Sequence, residues 1–215
     1  MTHSRLTFRF ARASLAVGAL AVVTGCSALS AFSDAATPLD VYEIPAPSGI
    51  SPTTRGAVAR DVIVELPTTS GALETDRIMI RPNPLQAQYL PEVRWSEPVP
   101  VMVQTLMLRA IESTGAVRYV GRQPLGVSGD YAIVTEVMDF HAEQIAGGDG
   151  AMVEVRLLSR LVRERDARIV SSRTFSAEAL SGSTDTLPLV EAFSAASDQV
   201  FTEVAQWIRT SVAGG

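Results

Sequence analysis

One cysteine, Cys26, and two histidines, His3 and His141, are the whole stock of thiol and imidazole in this chain of 215 residues. A hydrolytic triad needs a base whose pKa lies near the working pH, usually histidine. His141 falls at an alternating position inside an extended stretch, where a surface or sheet-edge side chain is expected. No serine stands in a Gly-x-Ser-x-Gly elbow; Gly126-Val127-Ser128-Gly129 misses the spacing and reads as a turn. All 18 basic residues are arginines, which excludes a phosphate-binding loop of the Walker type, since that needs a lysine. Zinc sites built on cysteine and histidine need several such ligands, and the chain lacks them. A calcium loop of the Asp-x-Asp-x-Asp-Gly kind is missing as well, and Gly148-Asp149-Gly150 reads as a turn. Glu191 with Glu203 or Asp198 reads as the solvated face of a helix. The expectation is a protein that is not an enzyme, with no cofactor and no metal. That leaves Cys26 as the residue to which chemistry can be assigned.

Arg5, Arg9 and Arg12 precede an apolar run from Ala13 to Val23, and no acid occurs before Asp34. A basic stretch, an apolar stretch and then small residues are the layout of a secretory signal. The run is shorter than the roughly 20 residues a bilayer requires. It ends in Val23-Thr24-Gly25-Cys26, which resembles the lipobox of bacterial lipoproteins. That resemblance implies a diacylglyceryl thioether on Cys26, cleavage after Gly25, and acylation of the new N-terminus by a palmitate-type chain. Cysteine is required because a thiolate is the nucleophile that takes the lipid. A free buried cysteine is the weaker reading, because the only cysteine stands at the end of the apolar run. Residues 1–25 are therefore expected to be a signal peptide. Residues 26–37 are expected to be the lipidated cysteine and a small, polar tether spanning on the order of 20 Å. Residues 38–212 are expected to be a single folded domain.

Composition supports that division. Hydrophobic content of 47% with 19% charged residues suits a folded chain and not a disordered one. Removal of residues 1–25 would take away three arginines and no acids, leaving 15 basic against 23 acidic residues and a net charge of −8. So acidic a body is a poor partner for nucleic acid or for anionic headgroups. A lone cysteine cannot form an intramolecular disulfide, so the fold must rest on its core. No other apolar stretch approaches about 18 residues, so membrane attachment falls to the lipid. One acyl chain binds marginally, at about 0.8 kcal/mol per buried CH₂; three chains hold essentially permanently.

The elements that position the side chains follow from periodicity. Pro38 to Ile44 reads as a first strand, broken by Pro45-Ala46-Pro47-Ser48-Gly49. Val58 to Leu66 reads as a second, closed by Pro67, and Arg77 to Arg81 as a third, stopped by Pro82 and Pro84. Gln86 to Trp95 shows little periodicity. Ser96 is the expected cap of a helix whose apolar face is Val99, Met102, Val103, Leu106, Met107, Ala110 and Ile111, with Gly115 at its end. Val117 to Val120 reads as a strand. Three long strands follow, Tyr131 to Gln144, Ala151 to Arg163 and Arg168 to Leu180, joined by hairpin signals at residues 147–150 and 165–167. The middle one alternates cleanly, Val153, Val155, Leu157, Ser159 and Leu161 against Glu154, Arg156, Leu158 and Arg160. A last helix runs from Thr186 to Thr210, capped by Asp185 or Thr184, with Leu189, Phe193, Ala196, Val200, Val204, Trp207 and Ile208 on one stripe. The fold class expected is α+β: one domain, an antiparallel sheet with long C-terminal hairpin strands and two main helices on one face.

Tyr42, Tyr89, Trp95 and Trp207 are the aromatic candidates for interface anchors. Core packing is the better reading for Trp207, and Trp95 is open between the two. The run Asp76-Arg77-Ile78-Met79-Ile80-Arg81-Pro82, then Tyr89-Leu90 to Arg94-Trp95-Ser96 leading into an amphipathic helix, resembles the ABC-type transport auxiliary lipoprotein family (PqiC/YmbA-like). Phe175-Ser176-Ala177 before a long C-terminal helix with Phe193 and Trp207 agrees with it. The resemblance covers nearly the whole chain after Cys26. It implies a periplasm-facing lipoprotein that docks onto an MCE-domain protein working with an ABC permease and ATPase in moving lipids between membranes. Ser27 after Cys26, in place of Asp, resembles the signal for outer-membrane sorting. Self-association is left open. The rival readings are a lipoprotein that binds and ferries lipid in its own apolar cavity, a lipid-anchored enzyme, and an envelope-assembly or structural lipoprotein of TolB-like or cell-wall-associated type.

Overall fold

The computed structural model describes residues 38–213, residue 55 apart. Cys26 and the segments expected to be the tether and the signal peptide lie outside the described residues. Ten strands are described: β1 (Asp40–Tyr42), β2 (Val58–Val64), β3 (Thr68–Thr69), β4 (Met79–Asn83), β5 (Gln86–Tyr89), β6 (Val93–Trp95), β7 (Val117–Gly121), β8 (Tyr131–Gln144), β9 (Ala151–Arg163) and β10 (Arg168–Ser181). Helix α1 (Val99–Ser113) lies between β6 and β7, and α2 (Thr186–Ala213) closes the chain.

The frame is β8, fourteen residues long. One edge carries β9, which carries β10, both antiparallel. The other edge is shared by three short strands in succession: β2 beside Tyr131–Ile133, β3 beside Glu136 and Val137, β4 beside Ala142 and Glu143, all parallel to β8. Strand β7 adds in parallel to β2. The fold is thus α+β with long C-terminal strands, as expected, and the sheet is mixed rather than antiparallel throughout. Parallel pairing is set by distant crossovers, and strand periodicity does not carry that information.

The first half departs from the expected boundaries where long-range partners decide. Strand β1 is shorter than 38–44 and pairs with β6 in a separate two-stranded ribbon. The region from Gln86 to Trp95, aperiodic in sequence, holds two strands. Strand β4 runs through Pro82 instead of stopping there; the β4–β5 ladder slips between Ile80 and Asn83, so the missing proline N–H interrupts no regular pairing. Ser96 does not cap α1. The cap position is Pro98, with no side-chain bond, and the backbone N–H of Val99 donates to the Thr75 carbonyl at 3.0 Å. Gly115 follows the helix at φ +58°, the left-handed backbone that ends many helices.

The inner face of β8–β10 packs against both helices. Alternation along β9 is as expected, with Val153, Val155, Leu157, Ser159 and Leu161 fully buried. The whole expected stripe of α2 is buried. Trp95 stands edge-on to Phe140 and Phe193, with ring centroids 6.1 and 5.3 Å away, and Phe140 stacks on Phe193 at 5.2 Å. Both tryptophans are core residues; Trp207 packs on Phe175 and donates its indole N–H to Ser171 Oγ at 2.9 Å. Some buried polar groups pair within the core: Thr135 and Ser159, opposite each other across the ladder, share a hydroxyl bond of 2.9 Å. Gln104 of α1 donates to the Val64 carbonyl at 2.8 Å and accepts from Arg122 Nε at 2.9 Å. Gln104→Ala should cost about 1–3 kcal/mol in urea unfolding, because the Val64 carbonyl loses its side-chain donor inside the protein.

Candidate functional site

The most unusual local chemistry lies on the outer face of the sheet and begins with a bulge. Up to Val137 the odd residues of β8, Ile133, Thr135 and Val137, face the core. The β8–β9 register then slips between Val137 and Asp139. One extra residue, Met138, reverses the parity. Beyond it Phe140 and Ala142 fill the core, and Asp139 and His141 turn outward. Without the bulge, these two polar side chains would be aimed into the hydrophobic layer.

The ladder then builds a polar lattice. His141 lies opposite Glu154, Glu154 opposite Glu178, and Asp139 opposite Arg156. Arg156 Nε donates to Asp139 Oδ2 at 2.7 Å, and its Nη2 donates to the same oxygen. Arg156 Nε also lies 3.6 Å from Glu154 Oε1. His141 Nδ1 is 3.6 Å from Asp139 Oδ1, beyond hydrogen-bond reach, and this buried nitrogen has no hydrogen-bond partner. A cleft of about 480 Å³ opens beside it, walled by Pro82 and Pro84 of the β4–β5 hairpin and by Glu143, Met152, Glu154 and Glu178.

His141 is therefore not the surface or sheet-edge residue its position suggested. Its strand is interior to the sheet and the residue is 2% exposed. Burial first, then the positive charge of Arg81, holds its pKa below the ordinary histidine value, against the opposing pull of Asp139 and Glu143. Burial also raises Glu154 above the usual carboxylate range, helped by the neighbouring Asp139 charge. Arg156 is held further into its charged form, chiefly by its bond to Asp139. The cluster offers a neutral imidazole and carboxylates, groups that can hold a cation or accept a proton. No serine, threonine or cysteine lines the cleft, so it offers no hydroxyl or thiol nucleophile. Arg156→Met would leave Asp139 without its cation. The cost expected in urea unfolding is about 1–3 kcal/mol, the scale of a charged hydrogen bond, and Asp139→Asn in the same chain should recover part of it.

Sequence reasoning passed over Asp139, Glu154 and Arg156. The usable signal was the hairpin: counting back from Gln144 and Ala151 pairs His141 with Glu154 and Asp139 with Arg156. The bulge at Met138, which sets the face they share, leaves no mark in the composition.

Other singled-out residues have structural roles. Asp198 Oδ1 accepts the Ser48 backbone N–H at 2.9 Å, and Glu203 accepts from Arg173 at 3.1 Å. Tyr42 is half-buried against the core, and Tyr89, 40% exposed, donates its hydroxyl to the Ala72 carbonyl at 2.8 Å. A groove of about 870 Å³ between α1 and β7 has Ile44, Met102 and Leu106 among its apolar lining and Glu97, Arg109 and Glu112 among its charged lining. Leu85, Leu125 and Val127 are exposed on loops; apolar side chains scattered singly are ordinary on a protein surface. No described helix is long and apolar enough to cross a membrane.

Comparison with known proteins agrees with this architecture. The crystal structure of protein XCC0632 from Xanthomonas campestris, a DUF330 protein, is similar to the chain with a TM-score of 0.72 and 27% identity, over 81% of this chain and 97% of that one. The crystal structure of an uncharacterized protein shares the fold with a TM-score of 0.59 and 17% identity, over 79% and 98%. The uncharacterized protein bll6063 of Bradyrhizobium diazoefficiens is 25% identical over 173 residues, 77% of this chain and 44% of that protein. The chain thus spans less than half the length of the curated relative it matches. The family model for the ABC-type transport auxiliary lipoprotein component matches residues 42–205, from β1 into α2. The chain belongs to the ABC-type transport auxiliary lipoprotein component family.

Proposed function

We propose that this protein is a non-enzymatic, lipid-anchored component of an MCE/ABC-type system that moves lipids between membranes, and that it docks onto the MCE-domain protein. Membership of the family carries the coarser part, a lipoprotein of the cell envelope associated with an ABC-type transporter. In this reading residues 1–25 are removed, Cys26 bears the lipid, residues 26–37 tether the domain, and Ser27 directs the protein to the outer membrane.

The observation that favours docking over ferrying is the filled core. A lipid tail bound between helices and sheet would need an apolar cavity of several hundred Å³. That layer is occupied by Trp95, Phe140, Phe175, Phe193 and Phe201, all with essentially no solvent exposure. The groove along α1 is of mixed lining, with Glu97, Arg109 and Glu112 beside Ile44, Met102 and Leu106.

The test is affinity purification of the tagged, full-length lipoprotein from detergent extracts, with mass spectrometry of what accompanies it. Recovery of an MCE protein, a permease and an ATPase is expected. Recovery of none of these removes the proposal, and recovery of cell-wall or Tol-type partners would replace it with an envelope-assembly role.

A further inference from the structure

We propose that Asp139, His141 and Glu154 form a binding site for a divalent transition-metal cation of the zinc class. Ligand spacing along the sequence gives no sign of a metal site; the bulge and the β8–β9 register assemble one from a single histidine and two carboxylates. One ligand atom from each residue already lies within 4.8 Å of the other two. Zinc held by nitrogen and oxygen at about 2.0–2.2 Å keeps neighbouring ligand atoms roughly 3.3 Å apart in a tetrahedron. The 3.6 Å between His141 Nδ1 and Asp139 Oδ1 needs only a small contraction to reach that spacing.

Three features favour a cation over an unrelated buried cluster. First, His141 Nδ1 is buried without a hydrogen-bond partner, a state that costs free energy unless something supplies a partner. Second, Arg156 donates twice to Asp139 Oδ2 and leaves Oδ1 free; ligating carboxylates are commonly held by such outer hydrogen bonds. Third, acidic groups outnumber arginines around the site: Asp139, Glu143, Glu154 and Glu178 face Arg81 and Arg156. An imidazole with two carboxylates suits zinc, manganese or cobalt better than calcium or magnesium, which prefer oxygen alone. Three protein ligands leave coordination positions open toward the cleft, for water or for an anionic group of a ligand.

The experiment uses the full-length lipoprotein in detergent, purified without a polyhistidine tag, stripped with chelator and titrated with zinc chloride by calorimetry. Cobalt chloride gives a visible spectrum as a second readout. Saturable binding near one ion per chain is expected, with a raised melting temperature. His141→Ala should weaken affinity by roughly 100-fold, and Arg156→Met by about 10-fold. Glu154→Gln, isosteric and at a partly exposed position, serves as the variant least able to disturb folding, and should also lose most of the affinity. The absence of saturable binding to the folded wild-type chain overturns the proposal. So does zinc binding that survives His141→Ala and Glu154→Gln in folded variants, since the ion would then sit on other carboxylates. Calcium competing as well as cobalt overturns the assignment of metal class. None of these outcomes depends on which transport partner is recovered.

Discussion

Phe193→Asp abolishes the cooperative fold. Phe193 has no solvent exposure and lies mid-stripe on α2, stacked on Phe140 of β8 and edge-on to Trp95 of β6. Three elements distant in sequence meet at that ring. Truncating a buried phenylalanine alone costs about 3–5 kcal/mol. An aspartate there adds an unpaired charge or a forced protonation, worth several kcal/mol more. Domains of this size are held by roughly 5–15 kcal/mol, so the variant should lose near-UV circular dichroism and its cooperative melt. Phe193→Leu, which keeps an apolar side chain, should fold with a lower melting temperature. A normal melt for Phe193→Asp would mean that this stripe is not the core.

Cys26→Ala is expected to remove the proposed anchor. In the proposed function this residue carries all the lipid, on its thiol and its new amino group, and no described helix is long and apolar enough to cross a membrane. The variant should remain uncleaved or unlipidated, shown by a heavier intact mass and no incorporation of labelled palmitate. It should also disappear from outer-membrane vesicles in flotation. Three acyl chains hold a protein essentially permanently, at about 0.8 kcal/mol per buried CH₂, so the loss should be near complete rather than graded. A variant that still floats with the vesicles would show that the protein reaches the membrane by another route. The folded domain should melt as before, which separates this result from that of Phe193.

Two kinds of information in the chain behaved differently. The alternation of β9 and the stripe of α2 were legible because each is written within a few residues, at period two or near 3.6. The boundaries of β1, β5 and β6 were not, because a strand of three or four residues exists only where a partner receives it. Strand β1 is held by β6, more than fifty residues later in the chain. Proline signals misled for a related reason: Pro82 lies at a slipped ladder where its missing N–H costs little, and Pro98, not Ser96, begins α1. Trp95, flanked by arginine and close to prolines, left its burial open in sequence; its place beside Phe140 and Phe193 decided it.

Sequence by itself determined the chemistry of Cys26 as a lipidation candidate, the acidic lysine-free composition, the α+β class and the amphipathic faces that build the core. These depend on residue type and short-range spacing. Only the tertiary structure decided that three short strands run parallel to β8, that the layer between helices and sheet is filled with aromatic rings, and that His141 is buried beside Asp139 and Glu154. The reason is the bulge at Met138. One inserted residue reverses which side of the sheet every later side chain faces, and that reversal exists only against the register of the neighbouring strand.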